Sequence, residues 1–119
     1  MIPIFVYGTL RLGEGNSHFL RNSVLDNKLH KLSGHDMHEV CSSFPGIVEG
    51  SGDVYGELAY VDESTLQMLD MLEGVPDFYD RKEVYLDGYI RAYAYVLPIE
   101  YSIRPKIHGG DWVKHRKRR

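Results

Sequence analysis

The residue whose type and position most strongly suggest chemistry is Glu73, at the end of a predicted helix. The helix is predicted over residues 63–73, after an N-cap at Asp62, and on a helical wheel Glu73 falls between Leu66 and Leu69, inside the apolar arc. Desolvation there and the negative end of the helix dipole both raise the pKa of the carboxyl, which suits a general base near neutral pH. The alternative, which spacing leaves open, is a side chain that turns into water from the last helical turn.

A second candidate is the segment of residues 7–11 (YGTLR), where an apolar run ends in a glycine turn. Residues 2–7 are typical of a strand that is covered on both faces. After such a strand, successive backbone N–H groups around Gly8 can point at one spot, where they hold a carboxylate or stabilise an oxyanion. The alternative is a turn that only ends the strand.

Tyr79 is a third candidate, in a proline-containing loop a few residues after Glu73. Its hydroxyl could orient a substrate or the Glu73 carboxylate, and the alternative is a packed loop aromatic. His35 and His38 have no third ligand at a suitable spacing, so no metal site is predicted. Cys41 has no nucleophile signature around it, and the absence of a Gly-x-Ser-x-Gly elbow argues against a serine hydrolase.

Length and composition bound the kind of molecule that positions these residues. The 119 residues are 43% hydrophobic and 26% charged, which is ordinary for one compact domain. A single cysteine excludes an internal disulfide framework. The first residues resemble no signal peptide, and no segment is apolar for long enough to span a membrane. We therefore expect a cytoplasmic, single-domain protein without membrane association.

The charge is distributed unevenly along the chain. Residues 114–119 (KHRKRR) hold five of the 14 Lys and Arg and none of the 17 Asp and Glu, which leaves the rest of the chain acidic. An acidic surface argues against a nucleic-acid partner, because that affinity depends on cations that face phosphates. We expect a single domain over residues 1–113 and a basic, mobile tail over residues 114–119. Nothing in the sequence indicates an oligomeric state.

The remaining elements predict an α+β fold. Residues 54–61 alternate and are aromatic-rich, as in a strand, and residues 81–86 and 89–97 form a predicted hairpin around Asp87-Gly88. In the second hairpin strand the small aliphatic residues should face the interior, and the tyrosine face should be half-exposed. Turn signals within residues 34–47 predict the start of a long loop. The expected architecture is a small mixed sheet, closed or strongly curved, with short helices packed outside.

Three segments together carry a family resemblance. With VYGTLR at 6–11, VYGELAYV at 54–61 and LDMLEGVPDFYDR at 69–81, the chain resembles the γ-glutamylcyclotransferase-like superfamily, in particular its γ-glutamylamine cyclotransferase or AIG2-like branch. Phe-Pro-Gly at 44–46 and Gly-Asp-Trp at 110–112 are further matches. The resemblance spans almost the whole chain. It implies a small mixed barrel with helices packed outside and a cavity at one end.

The resemblance also implies a reaction and roles for named residues. Tyr7, Gly8, Thr9 and Leu10 match the family's substrate-binding loop, and Glu73 matches its catalytic acid–base glutamate. Tyr79 matches a tyrosine near the pocket. The implied enzyme converts a γ-glutamyl amine or γ-glutamyl amino acid, a small-molecule substrate, to 5-oxoproline and a free amine, with no metal and no cofactor. Two alternatives remain: a non-catalytic module of the same fold that binds a small ligand, and an interaction protein.

Overall fold

The structure, a computed structural model, describes residues 1–118, and Arg119 lies outside the described residues. Six strands and two α-helices are joined by two short 3₁₀ segments, at Ser17–Leu20 and Ile99–Ile103. The strands are β1 (Ile2–Val6), β2 (Val24–Leu25), β3 (His30–Cys41), β4 (Phe44–Val61), β5 (Asp80–Leu86) and β6 (Ile90–Val96), and the helices are α1 (Glu63–Glu73) and α2 (Trp112–Lys117).

The strands form one mixed, six-stranded sheet, in which the long strand β4 pairs with β1, β2 and β3. The order is β2-β4-β1-β6-β5, and β3 pairs antiparallel with the first part of β4. β1 and β6 are parallel, whereas the other pairs are antiparallel. The backbone N–H of Leu97, just after β6, donates to Ile47 O near the start of β4 (2.8 Å), so the first part of β4 lies beside the end of β6. The α+β class is confirmed, but the sheet is not closed into a barrel.

The predicted long loop from residue 34 is wrong, because residues 34–47 belong to a hairpin. β3 and β4 pair as far as Cys41 and Phe44, so the turn holds two residues. Gly34 has a positive φ of 79° and lies where the register shifts between Ser33 and His35, which marks a β-bulge. Gly46 packs closely against Leu97, whose buried side chain occupies the space that a Cβ at position 46 would need. Both glycines therefore lie within strands, although in the sequence they resemble turn signals.

The predicted helix and its neighbouring hairpin are confirmed. Asp62 Oδ1 accepts a hydrogen bond from Thr65 N (2.8 Å) at the start of α1, and Gly74 ends the helix with a φ of 68°. Asp87 and Gly88 both have positive φ, of 53° and 84°, as the tight turn between β5 and β6 requires. Local sequence signals were sufficient for both elements.

The sheet buries both of its faces, which corrects the expectation for β6. Ala92, Ala94 and Val96 pack in one hydrophobic cluster, together with Trp112 of α2. Tyr95, predicted to be half-exposed, is only 3% exposed, because the face that carries it is covered by the buried α1 residues Leu66 and Leu69. Leu97, on the same face, is equally buried. A second core therefore lies between the sheet and α1.

The C-terminal segment is helical as far as Lys117. Asp111 Oδ1 accepts from Lys114 N (3.2 Å) at the start of α2, and the Arg116 guanidinium donates two hydrogen bonds to the Glu14 carboxylate (2.8 Å each). Most of the predicted tail thus continues a helix, which the sequence analysis did not anticipate. The mobility of residues 114–119, and their separation from a domain over residues 1–113, stay predictions. Within residues 1–118, no helix is both long enough and apolar enough to cross a membrane.

Candidate active site

One cavity brings together every site residue that the sequence analysis named. It has a volume of about 320 Å³ and opens where the end of β1, the start of β4 and the last turn of α1 meet. The predicted site residues that line it are Tyr7, Gly8, Thr9, Leu10, Glu73 and Tyr79. Residues 7–10 and residues 73 and 79, which are far apart in the sequence, thus meet at one cavity. The roles assigned to them stay predictions.

Glu73 lies in the wall of this cavity, on the buried side of α1. Its position follows from the spacing of the helix, since Leu66 and Leu69 on the same arc are buried against the sheet. Loss of solvent raises the pKa of the Glu73 carboxyl to about 7. Among residues 1–118, no side chain forms a hydrogen bond or ion pair with this carboxylate. A carboxyl with these properties can both accept and donate a proton near neutral pH.

Arg81, which follows α1 in the chain, is bound to a carboxylate of the helix other than Glu73. Arg81 Nε is 3.1 Å from Asp70 Oδ1, and the Tyr95 hydroxyl donates to the same oxygen (2.8 Å). Asp70 precedes Glu73 by almost one helical turn, so it receives the charge of Arg81 and the Tyr95 hydrogen. Because an adjacent arginine would lower the pKa of a carboxyl, this arrangement leaves the effect of burial on Glu73 uncompensated.

Three tyrosines near Glu73 form a fixed, neutral wall. The Tyr7 hydroxyl donates to Tyr95 O and the Tyr79 hydroxyl donates to Pro45 O, both at 2.7 Å. Burial first, and the nearby Glu73 charge in addition, raise the pKa of Tyr7 and of Tyr79. The single hydroxyl hydrogen of Tyr79 is thus used by a backbone carbonyl and does not reach the Glu73 carboxylate.

The loop after β1 is held by its own hydrogen bonds. Arg11 N donates to Gly8 O (3.0 Å), and Asn16 donates to Thr9 twice, from its backbone N (2.8 Å) and from Nδ2 to Oγ1 (3.0 Å). Gly8 packs directly on Pro45, where a Cβ would approach Pro45 Cγ to 2.9 Å. Glycine at this position is therefore required by packing, in addition to any need for a ligand to approach the backbone.

Several lining residues were missed by the sequence analysis. Asn16 follows the loop by a few positions, and its bond to Thr9 depends on the turn that the loop adopts. Phe44 and Pro45 were noticed only as a turn signal, and Tyr95 was assigned to a half-exposed face. All four line the cavity. The alternation of β6 could have indicated Tyr95, had both faces of the sheet been predicted to be covered.

Comparison with known proteins agrees with this geometry. The sequence model of the family described as "Gamma-glutamyl cyclotransferase, AIG2-like" matches residues 4–114. The chain belongs to this family. A relative from Vibrio cholerae is 37% identical over 93% of this chain and 95% of its own length. The gamma-glutamylcyclotransferase family protein YtfP of Escherichia coli K12 is 33% identical over 96% of this chain and 98% of its own length.

Solved structures support the same fold. The solution structure of E. coli YtfP has a TM-score of 0.73 at 33% identity and covers 94% of this chain and 96% of the other. A mouse AIG2-like protein has a TM-score of 0.80 over 94% of this chain and 88% of its own, and at 21% identity this likeness concerns the fold alone. The resemblance found in the sequence is confirmed, and family membership supports a cyclotransferase activity on a small molecule.

Proposed function

We propose that this protein converts a γ-glutamyl amine or γ-glutamyl amino acid to 5-oxoproline and a free amine. The observation that carries the proposal is a single unpaired carboxylate, Glu73, in the wall of a cavity that the family's loop also lines. In this reaction the α-amine nitrogen of the substrate attacks its own γ-carbonyl carbon. A lactam C–N bond forms and the original amide C–N bond breaks, so no oxidant or co-reactant is needed.

Glu73 acts as the acid–base group in this scheme. The α-ammonium of the substrate must lose a proton before its nitrogen is nucleophilic, and the Glu73 carboxylate takes that proton. The carboxylic acid then returns it to the departing nitrogen, which could not leave as an anion. The second proton, which the ring nitrogen releases as it becomes the lactam N–H, ends on the free amine. A pKa of about 7 suits both steps, because the group is neither fully protonated nor fully ionised near neutral pH.

The loop and the tyrosine wall hold the substrate in a bent conformation. The backbone of Gly8, Thr9 and Leu10 binds the glutamyl end and stabilises the oxyanion that develops on the γ-carbonyl, where one donor contributes ~3–4 kcal/mol. The amine and the carbonyl belong to one molecule, so their reaction is already intramolecular, and the bent conformation lowers the barrier further by fixing the bonds between them in attack geometry. These two effects and proton transfer are sufficient for the reaction, so the proposal includes neither metal nor cofactor. It places the enzyme in the cytoplasm, where the exposed thiol of Cys41 stays reduced.

The test is 5-oxoproline release from a panel of γ-glutamyl amines and amino acids. We expect the parent to form lactam from at least one compound and Glu73→Gln to form it ~10²–10⁴ times more slowly, because the amide has no basic lone pair to replace the carboxylate. The control is Glu63→Gln, which changes an exposed glutamate at the other end of the same helix and should keep the parent rate.

The competing function is a binding module that retains the cavity without catalysis. That function predicts that compounds of the panel raise the melting temperature of the parent and of Glu73→Gln, while no 5-oxoproline forms from any of them. Lactam formation at equal rates by the two proteins would instead remove Glu73 from the mechanism.

A further inference from the structure

A second cavity lies beside the C-terminal helix α2, away from the candidate active site. It has a volume of about 370 Å³ and shares no lining residue with the active-site cavity. One wall comes from α2 and its C-cap, and the facing wall comes from β4 and from the loop that precedes α2. The proposed cyclotransferase reaction gives this cavity no role.

The wall on the α2 side carries two cations. Lys114 lies in α2, and Arg118, one helical turn later, is the C-cap and keeps helical dihedral angles, so both side chains project from the same face. Among residues 1–118, neither side chain forms an ion pair or a hydrogen bond. Arg116, which does not line the cavity, is paired with Glu14. An anion held between Lys114 and Arg118 would therefore be attracted by both and would relieve their mutual repulsion.

The carboxylate that lines this cavity is already bound within the protein. Asp111, the N-cap of α2, accepts at Oδ1 from the Arg11 guanidinium (2.9 Å) and from Lys114 N (3.2 Å). Its side chain is only 9% exposed. The cavity thus has two unpaired cations in its lining against one carboxylate, which has its own partner in Arg11. Its lining carries an excess of positive charge, whereas Glu73 is the charged residue in the lining of the active-site cavity.

The cavity also has neutral hydrogen-bond donors without partners. The backbone N–H of Tyr55, on β4, donates to Gly110 O (2.8 Å), whereas the Tyr55 hydroxyl has no partner among residues 1–118. The imidazoles of His108 and His115 line the same space. His115 Nε2 is shielded from solvent and lies 3.9 Å from Glu39, too far for a hydrogen bond. Cations beside hydroxyl and imidazole donors match an anion with several acceptor oxygens.

We propose that this second cavity binds a phosphate group, either free or on a small molecule. A phosphate dianion can accept from the planar guanidinium of Arg118 and from Lys114 at the same time, whereas a carboxylate has one charge and two oxygens for the same partners. A long polyanion fits less well, because residues 1–113 hold all 17 Asp and Glu but only nine of the 14 Lys and Arg. This site is independent of the proposed cyclotransferase activity.

An NMR titration of the full chain tests the site. Inorganic phosphate, phenyl phosphate and benzoate are compared at a constant ionic strength of about 0.15 M, where distant charges are screened. We expect the two phosphates to shift the backbone amide signals of Gly109 and Gly110 to saturation, and benzoate to bind at least about tenfold more weakly. Tighter binding of phenyl phosphate would support a phosphate ester as the ligand, and tighter binding of inorganic phosphate would support the free ion. Benzoate binding as tight as that of phosphate, or shifts confined to Gly8 and Thr9 of the active site, would overturn the proposal.

Two double variants of equal charge test the cations. Lys114→Gln with Arg118→Gln should weaken phosphate binding at least about tenfold, since both charge-assisted contacts are lost. Lys82→Gln with Lys117→Gln is the control, because both residues are exposed and neither lines the cavity. The control should keep the affinity of the parent, and both variants should keep its melting temperature. Affinity unchanged in the first variant, or lowered equally in both, would contradict the site.

A third arm separates a small phosphate from nucleic acid. The probe is a single-stranded RNA of about ten nucleotides without a terminal phosphate, whose charges are all phosphodiesters. We expect it to bind more weakly than phenyl phosphate does under the same conditions. Tighter binding of the RNA, lost in the variant that lacks Lys114 and Arg118, would overturn the proposal, because the occupant of the cavity would then be a nucleic-acid backbone.

Discussion

Two regions on either side of the loop after β1 differ in whether their buried charges have partners. On one side, Arg11 is 7% exposed, and its guanidinium contacts Glu57 Oε2 (3.1 Å) and Asp111 Oδ1 (2.9 Å). The second oxygen of Glu57 accepts from Leu12 N (2.8 Å). On the other side, Glu73 is removed from most of the solvent and has no partner among the described residues. One cluster satisfies its charges, whereas the cavity leaves one charge unsatisfied.

In this protein, the buried charges that stabilise the fold are paired, whereas the buried charge that is available for proton transfer is not. A paired buried charge stabilises the protein relative to a variant that lacks one partner, since the other partner is then buried alone. An unpaired one destabilises it, because the ionised form has lost hydration without compensation. Neutral replacements should therefore have opposite effects on the free energy of unfolding in the two regions.

The largest effect on stability is expected at Arg11. Arg11→Met keeps much of the side-chain volume but leaves Glu57 and Asp111 without their common cation, which should lower the free energy of unfolding by about 3–5 kcal/mol. Urea titration of the variant measures this loss, and Arg21→Met provides the control at an exposed arginine. A loss below about 1 kcal/mol would mean that the ion pairs of Arg11 with Glu57 and Asp111 do not stabilise the protein.

A second paired cluster, at His30, should show a smaller loss that depends on pH. The imidazole lies 2.6 Å from Asp87 by Nδ1 and 2.6 Å from Asp26 by Nε2. Burial lowers the pKa of His30, but the hydrogen bonds to the two carboxylates outweigh it, and the pKa is raised above 6.5. Its stabilisation is therefore fully present below about pH 6.5 and is lost as pH rises through the raised value.

His30→Gln should accordingly destabilise the protein most at acidic to neutral pH. We expect a loss of about 1.5–3 kcal/mol at pH 6, typical of charge-assisted hydrogen bonds, and a smaller loss at pH 9. Urea unfolding at the two pH values measures the difference, with His108→Gln as the exposed control. A loss that stays constant from pH 6 to pH 9 would show that the pKa of His30 is not raised in the folded protein.

At Glu73 the sign of the stability change should reverse. Its pKa in the folded protein, about 7, is above its ordinary value of 4.5, so the contribution of Glu73 to stability is fully present below pH 4.5 and is lost as pH rises through 7. Glutamine does not titrate and avoids that loss. Glu73→Gln should thus be more stable than the parent by about 1–3 kcal/mol at pH 8, with little difference near pH 4.5. A variant less stable than the parent at pH 8 would show that the folded protein stabilises the ionised Glu73 carboxyl, as it does the paired charges around Arg11.

The smallest effect is expected at Arg116. Its two hydrogen bonds to Glu14 join α2 to the segment after the loop, but the arginine side chain is 45% exposed, where ion pairs are screened by water and salt. Arg116→Ala should leave the melting temperature and turnover close to those of the parent. A melting temperature lowered by many degrees would instead show that this contact, in the predicted mobile tail, fixes the C-terminal helix.

Much of the site could be predicted because its signals are local. The placement of Glu73 on the buried arc followed from helical spacing, and the loop around Gly8 followed from a strand that runs into a glycine. The Asp87-Gly88 turn was equally local. In each case the residues that determine the local structure lie within one turn or one helix, so a short window of sequence is enough to predict it.

What could not be predicted depends on contacts between distant segments. Spacing alone did not indicate that Arg81 pairs with Asp70 rather than Glu73, and this choice sets the electrostatics of the cavity. The β3–β4 hairpin was not predicted, because Gly34 and Gly46 resemble turn signals, whereas the first lies at a β-bulge and the second at a close contact with Leu97. Tyr95 was assigned to the wrong environment because the second core appears only when α1 packs on the sheet.

The acid–base role of Glu73 requires an unpaired, partly desolvated carboxyl that titrates near neutral pH. The most direct test is a pH titration of the side-chain carboxyl carbon of Glu73 by NMR, in protein labelled with ¹³C at glutamate and with the signal assigned by its absence from Glu73→Gln. We expect a midpoint at about pH 7. A midpoint near 4.5, the ordinary value of a glutamate, would contradict the account, because such a carboxyl would be fully ionised at neutral pH and could not return a proton to the leaving amine.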